Sequence, residues 1–292
     1  MGITLVESSI LETADLKRKE LLRLLAVNSD ILSVLPFENI HGRALSYTQE
    51  VSGKSCTEHF RLAGGELDAD ELLVLEGDSA SRDTIEVLKV KAMALHIAGV
   101  VINGDREVNV REFDGLKKHI VGKNVIPADS NNPQSNSPLS VASLDYAIEQ
   151  ADGPTHLIMS KAMRSRLSQG KRDEDLPDFD FRFELDEFGT QMAVYKNLPI
   201  LVADYDDTGS RIINFNEAGP GGDTTSTSIY VVSIGPKGFT GLQNDEIGIS
   251  DLGRVKTFHI FRTRVEWLMG IAIFNSLAAI RIWGITDAPL TK

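Results

Sequence analysis

The longest stretch of helix-type periodicity runs from Arg82 to Asp105. Apolar side chains return at the spacing of one helix face, and charged side chains occupy positions between them. The apolar positions are Ile85, Leu88, Ala92, Leu95 and the run 97–101. Ser81 can cap the start, and the Asn-Gly pair at 103–104 can end the helix, since glycine adopts a positive φ without steric cost. The pattern predicts one long, spine-like helix, which favours a scaffold over a repeated strand–helix enzyme.

A second helical pattern covers residues 13–34 and ends at Pro36, because proline cannot continue a helix. No segment before residue 35 carries enough apolar positions for a core of its own, so this helix is expected to pack on something else. An extended hairpin is predicted over 43–70, with Gly53 near its tip.

Short strands and short helices are predicted for the rest of the chain. A polar, proline-containing run at 128–140 predicts a loop between subdomains. Helices are predicted over 139–150 and 161–169, and strands over 157–159, 178–185, 193–203, 229–234, 256–264 and 267–283. The last strands are expected to return to the long helix, and the middle of the chain would then be an insertion that forms a second subdomain.

Composition excludes several classes of protein. The 292 residues are 42% hydrophobic, which is enough for a substantial core. The formal net charge of −12 argues against strong general affinity for nucleic acid, since phosphate binding needs clustered lysine and arginine. Cys56 is the single cysteine, so no intrachain disulfide can form. No signal peptide is visible, and no apolar run reaches the roughly 20 residues that span a bilayer.

The sequence contains no convincing catalytic, cofactor-binding or metal site. The Gly-Pro-Gly-Gly stretch at 219–222 lacks the lysine of a phosphate-binding loop and is expected to be a flexible surface loop. The Asp-rich stretch at 204–209 has Phe215 where a calcium loop needs glutamate, so a turn is expected. The acidic run 173–180 is expected to be a solvated loop. The six histidines lack zinc-site spacing, and Cys56 has only His59 nearby as an activating group.

Charge is distributed unevenly along the chain. An acidic excess precedes the long helix, and a basic excess lies near the C-terminus. The acidic set is Glu66, Asp68, Asp70, Glu71, Glu76 and Asp78, and the basic set is Arg254, Lys256, Arg262, Arg264 and Arg281. The two sets are either separate solvated faces or opposite patches that meet between subunits and fix their orientation.

Six segments in this order resemble the major capsid proteins of tailed phages. The first is the long helix with its Ile-Asn-Gly-Asp ending at 102–105. The others are Leu35–Phe37, Arg61–Asp70, Phe113–Leu116, Gly153–Leu167 and Tyr195–Asp204. Together they cover most of the chain.

The resemblance implies an α+β chain with the Hong-Kong-97-type phage capsid fold, which encapsulins share. It would comprise an N-terminal arm at 1–42, an extended loop at 43–72, a peripheral domain with the spine helix at 73–135 and 251–292, and an axial domain at 136–250. The arm and the loop would lie across neighbouring subunits. Some members of the family form a covalent cross-link through a loop lysine. Lys54 lies near the hairpin tip but has no assignable asparagine partner, so cross-linking is not expected.

The implied function is self-assembly, as hexamers and pentamers, into the icosahedral head shell around the double-stranded DNA of a tailed bacteriophage. The DNA would be enclosed without tight binding, and no membrane would be involved. Separate scaffolding, portal and decoration proteins are possible partners, and the shell would assemble in the host cytoplasm and become part of the virion. The alternatives are an encapsulin-like nanocompartment around an enzyme cargo, another virion component such as a decoration or tail protein, and an enzyme with an unrecognised site.

Overall fold

The fold is described from a computed structural model over residues 2–12, 15–72, 80–174, 176, 179–185 and 191–292. The helices are α1 Leu5–Leu11, α2 Leu16–Val27, α3 Asp30–Val34, α4 Ala80–Asn103, α5 Leu116–His119, α6 Val141–Gln150 and α7 Lys161–Gly170, with 3₁₀ turns at Gly122–Asn124 and Ser276–Ala278. The strands are β1 Ile3–Thr4, β2 Pro36–Asn39, β3 Ala44–Thr48, β4 Ser55–His59, β5 Arg61–Asp70, β6 Val125–Pro127, β7 His156–Met159, β8 Phe181–Leu185, β9 Gln191–Tyr195, β10 Leu198–Val202, β11 Thr227–Val232, β12 Phe239–Gln243, β13 Gly248–Val255, β14 Ile260–Ile273 and β15 Ala279–Ile285.

The predicted spine helix is α4, and it ends where expected for a different reason. Gly104 does not have a positive φ. A side chain there would lie 2.4 Å from the carbonyl oxygen of Phe113, and one at Gly115 would lie 2.6 Å from that of Val100. The Asn-Gly-Asp and Phe-Asp-Gly segments therefore need glycine because the chain after the helix folds back against its last turn.

The N-terminal helical pattern is divided into two helices. α2 ends at Asn28, and the Ser29 hydroxyl accepts the N–H of Leu32 to begin α3. The sequence did not predict α1, which begins with a capping box in which Thr4 and Glu7 each satisfy the other's backbone N–H. Residues 13–14, the start of the predicted helix, lie outside the described residues.

Two large sheets organise the chain. One has seven strands in the order β6-β15-β11-β7-β10-β9-β8. The other has six strands in the order β1-β2-β12-β14-β13, with β5 paired to the remaining edge of β14. β14 is one 14-residue strand, so the predicted break near residue 265 is wrong, and the turn lies at 256–259 instead. β9 and β10 form a two-residue hairpin in which Lys196 and Asn197 both have positive φ, as a type I′ turn requires.

The seven-stranded sheet separates two cores. On β11, Ile229 and Val231 face a core shared with α6 and α7, whereas Tyr230 and Val232 face the core that contains the spine helix. Every residue of β11 is buried, because both of its faces are covered. Since alternate residues of a strand point to opposite faces, this one sheet is the wall between the two cores.

The strand pairings differ from two of the expected domain boundaries. β15 was placed with the spine helix, but it lies in the seven-stranded sheet beside β11. β12 was placed in the axial domain, but it lies in the six-stranded sheet beside β2 and β14. The division into peripheral and axial domains remains a prediction.

Candidate assembly surfaces

The N-terminal segment packs on its own chain. Leu21, Leu22 and Leu25 of α2 are buried in the same core as Val90 and Ala94 of the spine helix. Ile31, Leu32, Leu35 and Phe37 continue this burial, and the ring of Phe37 lies 4.8 Å from that of Trp267. The apolar surface that this helix was expected to need outside its own segment is therefore supplied by the spine helix and β14 of the same chain. Contact of the N-terminal arm with neighbouring subunits remains a prediction.

A charged network fixes α2 to the six-stranded sheet. We call Lys17, Arg82, Glu86, Asp251 and Thr263 the Arg82 network. Arg82 donates to Asp251 at 2.8 Å, to Glu86 at 2.9 Å and to the hydroxyl of Thr263 at 2.9 Å, and Lys17 donates to Asp251 at 3.2 Å. The hydrogen bond from Arg82 lowers the pKa of Asp251 to about 2. Four elements thus meet at one carboxylate and one guanidinium.

The predicted hairpin is shorter than expected. β3 and β4 pair over 44–59 with Gly53 at the tip, whereas residues 61–70 form β5 of the six-stranded sheet. The hairpin folds back on its own chain through backbone bonds from Glu50 to Phe274 and from Ser276 to Glu50. Its apolar side packs on a small cluster of Phe60, Leu242 and Ala272 on the sheet face away from the spine helix.

The acidic and basic sets pair within one chain. β5 and β14 are antiparallel and place Asp68 opposite Arg262 and Glu66 opposite Arg264. Arg262 donates to both oxygens of Asp68, at 2.6 and 2.8 Å, and Arg264 donates to Glu66 at 2.8 Å. Outside this ladder, Arg254 pairs with Glu71 at 2.6 Å. For these residues, the sets are therefore neither separate solvated faces nor patches that meet between subunits. Glu76 and Asp78 of the acidic set lie outside the described residues.

Arg281 was counted with the basic set but belongs to a buried network. Its guanidinium donates to Glu217 at 2.7 Å, and Glu217 also accepts from Ser228 at 2.5 Å and from Lys117 at 3.1 Å. Burial alone would raise the pKa of Glu217, but Arg281 and Lys117 outweigh it and hold the pKa below its usual value. This network joins α5, β11 and β15. No local pattern predicts this network, since its members lie up to 164 residues apart in the sequence.

The glycine-rich and Asp-rich stretches serve local structure. Gly219 is buried, and a side chain there would lie 1.8 Å from the amide oxygen of Asn136, so this part of the 219–222 loop is packed and is not free at the surface. In the 204–209 stretch, the Asp206 carboxylate accepts from the N–H groups of Thr208 and Ser210, which makes the turn expected there. Of the acidic run, Asp180 pairs with Arg182, while residues 175, 177 and 178 lie outside the described residues.

The histidines and the cysteine do not converge on one point. His96 lies on the exposed side of the spine helix with Nδ1 3.0 Å from Asp207, and His259 lies beside Glu71. Burial lowers the pKa of His156 to about 4, and burial also raises the pKa of the Cys56 thiol, which makes its thiolate less available. Within the described ranges, no group of three or more histidine, cysteine or acidic side chains could hold a metal ion. None of the described helices is long and apolar enough to cross a bilayer.

Comparison of the sequence with known protein families and with curated proteins gives no match. Solved structures, in contrast, match over nearly the whole chain. The holo-SrpI encapsulin complex from Synechococcus elongatus matches with a TM-score of 0.64 at 11% identity, and the match covers 100% of this chain and 99% of that chain. The capsid of an empty GTA particle matches at 0.55, with 11% identity and coverage of 88% and 89%. A chain of Microbacterium phage Oxtober96 matches at 0.57, with 10% identity and coverage of 88% and 90%.

The chain has the Hong-Kong-97-type capsid fold. The predicted fold class is therefore confirmed. The long helix α4 is its spine helix, and the six-stranded and seven-stranded sheets are the two β layers beside it.

This capsid fold exposes apolar side chains at separate places. Val108 and Val110 are 85% and 74% exposed on the loop that follows the spine helix. That loop is fixed internally, because Asp114 accepts the N–H of Arg106 at 2.9 Å and Lys118 holds both Asp105 and Glu107. Phe183 and Leu185 are exposed on β8, which is the last strand of the seven-stranded sheet. A fixed loop that holds two adjacent apolar groups in solvent is suited to contact with another protein surface.

Proposed function

We propose that this chain is the repeating subunit of a closed icosahedral shell, namely the head shell that encloses the double-stranded DNA of a tailed bacteriophage. The observation that carries the proposal is the capsid fold, which matches shell structures along nearly the full length of both chains. The sequence motifs that resemble phage major capsid proteins support the phage assignment over the other shells.

The proposed subunit works by association with copies of itself, as hexamers and pentamers. Contacts at a fixed apolar loop and at the exposed edge of a sheet would each bury a modest area, and many such contacts in one shell add up. Scaffolding, portal and decoration proteins would be separate chains. The proposed location is the virion, after assembly in the host cytoplasm.

The enclosed DNA would be neither tightly nor specifically bound. The chain carries a net charge of −12, so its surface as a whole repels phosphate. On β14, Arg262 and Arg264 are already engaged by carboxylates of the same subunit. The proposal assigns no catalytic step to the chain.

A second candidate is an encapsulin-like shell that encloses a protein cargo. One observation favours it: the match to the Synechococcus encapsulin complex covers the whole of this chain, whereas the match to the Microbacterium phage chain leaves about a tenth of each chain uncovered. Both candidates share the shell and differ in what it encloses.

The test is size-exclusion chromatography followed by negative-stain electron microscopy over a concentration series. Hollow particles of megadalton mass are expected. A chain that stays a compact monomer at high concentration would contradict the proposal. Nuclease-protected DNA in particles from the native source supports the phage head, whereas a single co-purified protein inside them supports the encapsulin.

A matched pair of variants tests the exposed loop as one of the contacts. Val108→Asp combined with Val110→Asp places two charges on the loop and should abolish particles without unfolding the subunit, because neither side chain contributes to the core. Ser165→Asp adds a charge at an exposed position of α7 and should leave assembly unchanged. Normal particles from the loop variant would remove this loop from the set of contacts.

A further inference from the structure

The spine helix buries one apolar side and leaves a second one uncovered. The buried side, which packs in the core shared with α2, consists of Val90, Ala94, Ile97, Ala98 and Val101. The second side, which we call the Leu88 stripe, consists of Ile85, Leu88, Ala92 and Leu95. Leu88 is 60% exposed, the other three are half-buried, and no core of the described chain includes any of the four. The two sides lie roughly 150° apart around the helix, so the core that covers one cannot cover the other.

The Leu88 stripe has the spacing of a surface that packs on another helix. Its members follow one another after three, four and three residues, which is the seam pattern of two helices packed side by side. The stripe is about 15 Å long, since each residue of a helix advances about 1.5 Å. It ends at Gly99, where a side chain would lie 3.6 Å from Cβ of Asp206 in the 204–209 turn. A partner helix of about three turns would cover its whole length.

Lysines border the stripe on both sides. Lys89 lies on one side and Lys91 on the other, each roughly 80° around the helix from the line of the stripe. Lys91 is exposed and has no ion pair within the described residues. Lys89 donates to the backbone carbonyl of Asp68 at 2.6 Å, whereas the Asp68 carboxylate is bound by Arg262. Neither lysine is therefore paired with a carboxylate in the described part of the chain.

The acidic groups around the stripe do not offset these lysines. At the Gly99 end, Asp207 lies 3.0 Å from Nδ1 of His96, and the Asp206 carboxylate accepts two backbone N–H groups of its own turn. On the helix itself, Asp83 and Glu86 are each more than about 130° from the line of the stripe. The uncompensated charge beside the stripe is positive.

We propose that the Leu88 stripe is a docking face for an amphipathic helix of a second, different protein, whose apolar side is bordered by acidic residues. The apolar side of that helix would cover the stripe, and its carboxylates would meet Lys89 and Lys91. The docking does not depend on what the subunit assembles into.

Charge complementarity selects this occupant over another copy of the same face. Two stripes packed together would bring their bordering lysines close to each other, and like charges across an interface suppress such a pairing. The net charge of −12 acts on an acidic partner over longer distances. At physiological salt, screening beyond about 8 Å leaves the adjacent lysines to decide the local preference.

Two labelled peptides test the face on the full-length, unassembled chain. Both have about 14 residues and carry leucines at the spacing of the stripe. One has glutamate and the other has lysine at every position that borders the leucines. In fluorescence anisotropy at low salt, the acidic peptide should bind at least roughly tenfold more tightly than the basic peptide, and the difference should shrink as salt is added.

Matched variants assign the binding to the stripe. Leu88→Asp should weaken the acidic peptide by more than about tenfold, because it removes the central apolar contact. Leu62→Asp makes the same change at a leucine that is 61% exposed and lies opposite Leu268, on the sheet face away from the spine helix, so it should leave the affinity unchanged. Lys91→Glu should weaken the acidic peptide and strengthen the basic one, whereas Lys161→Glu, at an exposed position of α7, should affect neither.

Several results would overturn the docking face: a wild-type chain that binds neither peptide, equal binding of the two peptides, or an affinity that Leu88→Asp leaves unchanged. Self-association that displaces the acidic peptide and is lost in Leu88→Asp would assign the face to a second copy and would also overturn it. The comparison of the two peptides on the wild type decides by itself if a variant fails to fold. Shells that form from a chain that binds neither peptide contradict only the docking face. A chain that binds the acidic peptide but never forms particles contradicts only the proposed function.

Discussion

Leu25→Ala tests whether the N-terminal segment is part of the subunit's own core. Leu25 lies on α2 and is fully buried against the spine helix and the six-stranded sheet. If the segment were an arm that packs only on neighbouring subunits, truncating this side chain would leave the isolated subunit unchanged. Because it packs within the chain, the substitution should destabilise the isolated subunit directly.

The magnitude follows from complete burial. Leucine to alanine removes three carbon groups, and at about 0.8 kcal/mol for each the lost transfer free energy is roughly 2.4 kcal/mol. The cavity that remains adds to this, and fully buried leucines typically lose about 2.7–5 kcal/mol. We therefore expect the free energy of unfolding to fall by at least about 3 kcal/mol.

Urea unfolding of the unassembled subunit, followed by tryptophan fluorescence, measures the change. Trp267 lies in the same core as Leu25 and should report its loss of packing. The matched control is Val27→Ala, two residues further along the same helix, where the side chain is 83% exposed and the change should stay within about 0.5 kcal/mol. Equal stability of the two variants would refute the intrachain packing of α2.

Three further predictions concern the sheets and the charge networks. Gly64→Ala should destabilise the chain by about 1–3 kcal/mol more than Gly65→Ala in urea unfolding. Both glycines have positive φ, but only at Gly64 would a side chain clash with the Val265 carbonyl oxygen, at 2.3 Å. Glu217→Gln should cost about 3–5 kcal/mol in the same assay, because it leaves a buried arginine without its counter-charge. Asp251→Asn should remove an acid-induced loss of stability. The pKa of Asp251 is lowered to about 2, so the carboxylate's contribution to the free energy of unfolding is present above about pH 4 and disappears as pH falls toward 2. Denaturant midpoints of both chains at pH 5, 4, 3 and 2 would measure this difference.

Patterns that depend on neighbouring residues could be predicted from the sequence. The spine helix, the strand of alternating residues at β8 and the helix α7 were all placed to within a few residues, since their signal lies inside the segment itself. The break between α2 and α3 carried a local signal too. Ser29 is a good capping residue, and its position before Asp30 marks a helix start that the apolar periodicity alone conceals.

Partners far apart in sequence could not be predicted in the same way. The signs of the acidic and basic sets were evident, but charge alone does not fix a register, and only the antiparallel pairing of β5 with β14 brings Asp68 to Arg262. The same holds for Glu217 with Arg281. In each pair, the residues come together only after a sheet has formed.

The hardest question for the sequence was which molecule would cover an apolar face. An amphipathic helix has the same pattern whether it packs on its own chain or on a neighbour, because burial depends on the area covered and not on which chain covers it. The structure answers this for α2 through the spine helix. It also shows how the middle of the chain is joined to the rest: β11 has one face in each core, and its sheet is completed by β15 from the C-terminal end. A segment cut at 136–250 would lack β6, β15 and the spine helix, so the edge of β11 and its face toward the spine-helix core would lie open to water. The two cores therefore share one sheet, and in the proposed shell the contacts with a second subunit would come from side chains exposed outside both cores, such as Val108 and Val110.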